Sequence, residues 1–240
     1  MKIITAPKYT DLSKKAFQHL LTMVGNKRSP LICTASGDSP KGLYQQLTSA
    51  VVHEQVDVSH WNFVSLDEWA GMNGTDEGSC RFHLDNDLYL PAAIPGERLC
   101  FFDGRAHDLD AECNRVERYI SDHGGIDVAV VGLGLNGHVG MNEPGTDPSL
   151  HLHVAQIHPD TQAVGQKYFT SPKNLEQGLT LGIASLMEAR HVMMIVSGEK
   201  KAAIVKKIVE DDISEQVPAT LLRNHKSFVL FVDKAAATLL

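Results

Sequence analysis

The sequence predicts an α/β protein built on one doubly wound, mainly parallel sheet with helices on both faces. Three observations lead there. Short β-branched runs alternate along the chain with longer amphipathic stretches. Two of the runs, DVAVVG and VMMIVSG, are almost wholly apolar, as strands are when both faces of a parallel sheet are covered. No linker, low-complexity run or internal repeat divides the 240 residues, so one domain over 1–240 is expected.

Taken in order, Lys2–Thr5 is the first expected strand. Asp11–Val24 follows as a helix, with Asp11 or Ser13 placed to cap it. Leu31–Thr34 is the second strand. Pro40–Val52 is the next helix: proline fits a first turn, and Ser39 stands where a cap would stand. Asn62–Leu66 is the third strand, and Leu109–His123 is a helix. Asp127–Val131 and Val192–Val196 are the two apolar strands, the second leading into a helix at Glu199–Val209. Ser227–Val232 is the last strand.

Composition narrows the function classes. Hydrophobic residues make up 43% and charged residues 21%, an ordinary balance for a packed globular protein. The net charge of −7 argues against a nucleic-acid binder, which would carry a basic stripe. It also requires any anionic ligand to find positive potential built locally. Cys33, Cys80, Cys100 and Cys113 are scattered, with no C-x-x-C pair and no His at metal spacing. Neither a disulfide framework nor a metal site is expected, and a reducing compartment fits. The first residues, MKIITAPKYTDL, have no apolar signal core, and no run approaches the roughly 18 apolar residues of a membrane span. A cytoplasmic protein with no membrane partner is the expectation.

In doubly wound sheets ligands sit at the carboxyl ends of the strands, and three strand ends carry unusual residues. Thr34-Ala35-Ser36-Gly37-Asp38-Ser39-Pro40 joins a strand to a helix. Its small residues let backbone N–H groups reach an anion, and the helix end adds partial positive charge. Read alone, it is more simply a turn capped by Ser39. Leu66-Asp67-Glu68-Trp69 places two adjacent carboxylates after a strand. Near a substrate one could act as a general base; read alone, they are a solvated pair capping a turn. The third is GLGLNGHVGMNEPG, residues 132–145. Five glycines in fourteen residues are costly in backbone entropy for a merely structural loop. The loop also brings His138 and Glu143 together, an imidazole and a carboxylate of the acid/base kind. It is no dinucleotide fingerprint, because Pro144 and Gly145 stand where a helix would have to run.

These segments together with SGEKKA, residues 197–202, resemble the glucosamine-6-phosphate deaminase (isomerase) family, and most closely its galactosamine-6-phosphate deaminase/isomerase branch. TASGDSP, FVSLDEW, GLGLNGHVGMNEPG and SGEKKA occur in the family's order, and the likeness covers nearly the whole chain. The resemblance implies the Rossmann-like fold shared with 6-phosphogluconolactonases and an amino-hexose 6-phosphate as substrate, with no metal or organic cofactor. It implies Asp67 as the base that moves a proton between C2 and C1, His138 as the group assisting ring opening, and Glu143 as its carboxylate partner. It places Ser36, Gly37, Glu68, Gly137 and Lys201 around the substrate and its phosphate. Family members range from monomers to hexamers, so a homo-oligomer stays open.

The chain departs from the glucosamine pattern in three places. Asn136 stands where the loop usually carries Asp, Gln162 where an arginine is expected near Thr161, and His151-Leu152-His153 where another arginine is expected. Asn136 can orient the imidazole but brings no charge. The galactosamine branch shares these features, which points to galactosamine 6-phosphate. Two other readings remain: a 6-phosphogluconolactonase, whose loop continues differently after the His, and a sugar-responsive sensor domain, which would carry a helix-turn-helix ahead of a first strand that here begins at residue 2. Trp61 and Trp69 are expected to pack beside the third strand, with lining of the pocket as the alternative for Trp69, and His151, His153 and His158 to lie on the surface or the pocket rim.

Overall fold

A computed structural model describes residues 1–240. In chain order the elements are β1 (Lys2–Ala6), α1 (Tyr9–Val24), β2 (Leu31–Thr34), α2 (Asp38–Val52), β3 (Asn62–Ser65), β4 (Asp67–Trp69), α3 (Cys80–Leu84), β5 (Leu99–Cys100) and α4 (Leu109–Asp122). Then come β6 (Val128–Val131), β7 (Leu152–Gln156), α5 (Pro159–Gly165), β8 (Gln177–Leu181), α6 (Ile183–Glu188), β9 (His191–Val196), α7 (Ala202–Glu210) and β10 (Phe228–Asp233).

Seven strands form a parallel sheet in the order β1-β10-β9-β6-β2-β3-β5. The all-apolar runs occupy its centre, where helices cover both faces. Alternate residues of one strand enter opposite layers: Ala129 and Val131 of β6 join one core with Val205 and Ile208 of α7, while Val128 and Val130 join the other with Leu12 and Leu20 of α1. Period-two alternation between two apolar layers is why these strands read as unbroken hydrophobic runs. At the amino ends of the strands, buried Asp127 accepts from Lys27 Nζ at 2.6 Å and Leu31 N–H at 2.8 Å and pairs with Arg190, so its charge is compensated.

The sequence reading contains one sheet; the protein has a second. β4, β8 and β7 pair antiparallel in a three-stranded sheet of their own. The third expected strand, Asn62–Leu66, therefore divides. β3 stops at Ser65; the Leu66 N–H still bonds Thr34 O, while the Leu66 carbonyl accepts from Leu181 N–H of the second sheet. Asp67 is the first residue past this switch.

Helix starts also differ. α1 begins at Tyr9, and Ser13, expected as a cap, is buried inside it with its hydroxyl on the Tyr9 carbonyl. α2 begins at Asp38 with Gly37 in the cap position, so Ser39 lies within the helix. Gly37 has φ 96°, a region open to glycine at little cost, and that turn directs the chain from β2 into α2. No helix is long and apolar enough to cross a membrane.

Candidate active site

At the carboxyl ends of β2, β3, β6 and β9 lies a cleft of about 530 Å³. Its walls include Ser36, Gly37, Asp67, Asn136, His138 and Lys201. Residues distant in sequence meet here because parallel strands deliver their following loops to one edge of the sheet.

The second sheet fixes the relative placement of two of these loops. Asp67 pairs with Thr180 of β8 in the antiparallel register. The Thr180 hydroxyl also accepts from the Met141 N–H at 3.1 Å, and Asn142 Nδ2 donates to the Leu181 carbonyl at 2.9 Å. One strand, β8, thus holds both the Asp67 segment and the glycine-rich loop. The loop's glycines permit the close approach. A β-carbon on Gly140 would sit 2.7 Å from Thr180 Oγ1, and one on Gly134 would sit 2.2 Å from the His138 ring.

Within the loop, three side chains form a chain of hydrogen bonds. Asn136 Nδ2 donates to Glu143 Oε2 at 2.8 Å, and Asn136 Oδ1 lies 2.7 Å from His138 Nδ1. A carboxylate accepts and does not donate, so it fixes which end of the amide faces it. Oδ1 is then turned to the imidazole, where it can only accept. Nδ1 therefore carries the proton, and Nε2 is left as the free ring nitrogen with a lone pair. Thr161 Oγ1, on α5, stands 3.2 Å from the same Nδ1. Burial lowers the His138 pKa; Lys201 adds to the effect and Glu143 opposes it. The imidazole is neutral near pH 7. Glu143 Oε2 is 3.7 Å from His138 Nδ1, close enough to stabilise an imidazolium formed during reaction.

Asp67 lacks such partners. Burial pushes its carboxyl up to about 6, with the Cys80 thiol pulling weakly the other way. A carboxylate with a raised pKa is a stronger base than a solvated one.

The far end of the cleft is positive. The N–H groups of Ser36 and Gly37 donate to no protein acceptor, and they open onto the amino end of α2, where the helix dipole is positive. Lys201 reaches in from the turn before α7, bonded to the Leu133 carbonyl. Burial, and then the charge of Lys167, lower it to about 8. Lys167 and Tyr168 complete this end. The Tyr168 hydroxyl lies 3.2 Å from where a Gly37 β-carbon would be, and Lys167 pairs with Asp38 at 2.7 Å. Here is the local positive potential that a chain of net charge −7 needs for an anionic ligand.

The match to known families follows this geometry. The family described as glucosamine-6-phosphate isomerases/6-phosphogluconolactonase matches residues 8–231. The chain belongs to this family. A glucosamine-6-phosphate deaminase of Oceanobacillus iheyensis is 35% identical over 237 residues, covering 98% of this chain and 95% of that one. Glucosamine-6-phosphate deaminase 1 of Bacillus subtilis is 31% identical, covering 100% and 99%. Among solved structures, a monomeric glucosamine-6-phosphate deaminase superposes with a TM-score of 0.96 at 31% identity over the full length of both chains. The 6-phosphogluconolactonase of Trypanosoma brucei gives 0.78 at 21% identity, covering 100% and 98%, a likeness of fold.

Not every residue that the family pattern implies faces the cleft of this member. Glu68 does not. It is 1% exposed, and its carboxylate accepts the N–H groups of Trp69, Cys80 and Arg81 at 2.8–2.9 Å. Next to Asp67 in sequence, it points the opposite way because residues alternate sides along β4. Gly137 is also turned away: its φ of 91° makes a tight turn, and a β-carbon there would strike Val217 at 2.6 Å. Glu143 stands behind Asn136 and His138, 5% exposed. Gln162, at the expected arginine position, bonds the Ile157 carbonyl. His151 pairs with Glu188 and His158 with Asp160. Trp61 is core, whereas Trp69 both packs and lines the cleft.

Sequence reasoning missed Cys80, Lys167, Tyr168 and Ser197 on the cleft wall, and it gave Thr161 no role. Four of the five sit on short helices, a single 3-10 turn or their edges, with no periodicity to announce them. The one available signal was the QKYF segment, a lysine and an aromatic following α5.

Proposed function

We propose that this chain is an amino-hexose 6-phosphate deaminase/isomerase. It opens the pyranose form, moves a proton from C2 to C1 and releases ammonia, leaving a ketose 6-phosphate. One observation carries the reading: a desolvated carboxyl, a neutral imidazole of fixed tautomer and a cationic anion cradle share one cleft. The relatives named glucosamine-6-phosphate deaminase support the same class.

The roles follow from the chemistry of each group. Ser36 and Gly37 N–H groups, Lys201 and Lys167 hold the 6-phosphate. His138 Nε2 accepts the proton of the C1 hydroxyl, and the imidazolium returns it to the ring oxygen as the ring opens. Asn136 and Glu143 hold the tautomer and offset the transient charge. Asp67 takes the C2 proton of the open-chain amino-aldehyde and returns it to C1, while O1 gains a proton and the amine gives one up. The resulting C2 imine adds water, and ammonia leaves. Positioned side-chain acids and bases typically contribute about 10²–10⁴-fold each, which suits proton transfer between neighbouring carbons.

Within this class the substrate we propose is the C4 epimer galactosamine 6-phosphate. Asn136 in place of Asp, and Gln162 turned away onto the Ile157 carbonyl, are the departures that favour it. Ammonia release from galactosamine 6-phosphate and glucosamine 6-phosphate, measured side by side, tests both levels. Release from neither sinks the class, and a kcat/KM favouring glucosamine 6-phosphate sinks the epimer.

A further inference from the structure

One hydroxyl ties the first turn of α2 to α1. Tyr9 opens α1, close after the end of β1, and its Oη reaches the start of α2. There it accepts the Gly42 N–H at 2.7 Å and lies 2.7 Å from the Asp38 carbonyl and 3.1 Å from the Ser39 carbonyl, the acceptors for its own proton. In a regular helix the N–H of residue 42 bonds the carbonyl of residue 38 directly. Here a side chain from a neighbouring helix bridges that pair. Burial raises the Tyr9 hydroxyl above the ordinary range of a phenol, so it keeps the proton it donates.

The sequence makes room for the bridge at one position. A β-carbon on Gly42 would sit 2.2 Å from Ser13 Oγ and 3.0 Å from Tyr9 Cε1. Glycine there lets α1 approach closely enough for the Tyr9 ring to lie against α2. The Ser13 hydroxyl, though equally near, is spent within its own helix on the Tyr9 carbonyl at 2.8 Å.

The bridged turn leads directly out of the anion cradle. Asp38 and Ser39 line the cleft beside Ser36 and Gly37, and the N–H groups of Ser36 and Gly37 donate to no protein acceptor. A second tie on this turn is the ion pair of Asp38 with Lys167, whose side chains are 77% and 50% exposed. A pair so solvated restrains little. Tyr9 supplies the firmer restraint, with one group that accepts from and donates to the backbone of the turn.

We propose that Tyr9 is a positioning residue for the anion cradle: from outside the cleft, its hydroxyl fixes the first turn of α2 and so holds the Ser36–Gly37 backbone where it meets the 6-phosphate. This rests on the proposed function, in which that end of the cleft takes the phosphate. It separates the task of α1, which is binding, from the tasks of β4 and the glycine-rich loop, which carry Asp67 and His138.

The test is Tyr9→Phe, which keeps the ring and removes only the hydroxyl, beside Ser13→Ala, which removes a neighbouring hydroxyl that does not reach the turn. In Tyr9→Phe, KM for the amino-sugar phosphate and the dissociation constant of inorganic phosphate, followed by NMR titration, rise together by about three- to tenfold. Its kcat stays at the wild-type value, and its melting temperature stays within a few degrees. Ser13→Ala leaves both constants unchanged. Phosphate affinity equal in wild type and Tyr9→Phe overturns the proposal. So does a loss confined to kcat, or an equal weakening in both variants, which would mark a general loosening of α1 against α2. The phosphate titration needs no turnover. A wild type that binds phosphate but releases no ammonia from either amino-sugar phosphate refutes the enzyme reading alone, and one that binds no phosphate removes the cradle and with it the role of Tyr9.

Discussion

Asp67 is one of four acidic residues within eleven positions, with Glu68, Asp76 and Glu77, and what distinguishes it is its surroundings. Taken out of water and given no N–H partner, its carboxyl rises to about 6. In the proposed reaction only the deprotonated form can abstract the C2 proton, so kcat/KM falls tenfold per unit as pH drops below about 6 and is level above that until Lys201 begins to lose its proton near 8. A pH–rate profile checks this; a plateau extending down to pH 4.5 contradicts it. Asp67→Asn keeps shape and hydrogen-bonding size but cannot take a proton. Turnover is expected to fall by about 10²–10⁴-fold while ligand affinity, measured by calorimetry, stays close to that of the wild type. At this scale the sequence was informative where a residue type is rare in its setting. His138 and Glu143 among glycines were legible. The direction in which Glu68 points was not, because it depends on the register of a three-residue strand whose partner lies more than a hundred positions away.

β8 is the element on which the site depends, and it was invisible in the sequence. QGLTL has five residues with glycine at its second position, too short and too irregular to stand out as a strand. Glycine is required there because a β-carbon on Gly178 would sit 2.0 Å from Met141 Sδ. The central parallel strands were legible because burial on both faces leaves continuous apolar runs. The antiparallel sheet was not, because β7 is mostly half-buried, β8 is broken by Gly178 and Thr180, and their pairing is nonlocal. The glycine-rich loop yields the matching prediction. Gly134→Ala would drive a methyl group into the His138 ring. The ring must move, and displacement of a catalytic group by about 1 Å can cost about 10²-fold. A drop of that size in kcat, with an unchanged melting temperature within a few degrees, is expected. Unaltered kcat would show that the ring position is not critical.

For the molecule as a whole, the balance to explain is a net charge of −7 around a cleft proposed to take an anion. The structure resolves it by focusing Lys201, Lys167 and the amino end of α2 into one end of a cleft. The cation there titrates within reach of experiment. Lys201 is lowered to about 8, and a phosphate gains from it only while it is protonated. KM is therefore expected to rise as pH climbs through about 8, and Lys201→Arg, which stays charged, should abolish that rise. A pH-independent KM in the wild type would remove Lys201 from the phosphate site.

The central claim is that the Asp67 carboxylate carries one proton between adjacent carbons of an open-chain sugar phosphate. Turnover in deuterium oxide, with the ketose 6-phosphate read by NMR, tests it most directly. The account expects the hydrogen added at C1, beside the one the aldose already carries there, to be part protium and part deuterium, the protium being the fraction of the C2 proton handed over before it exchanges with solvent, and no exchange at C2 of the substrate in Asp67→Asn. Exchange at C2 that persists in Asp67→Asn at the wild-type rate would contradict it.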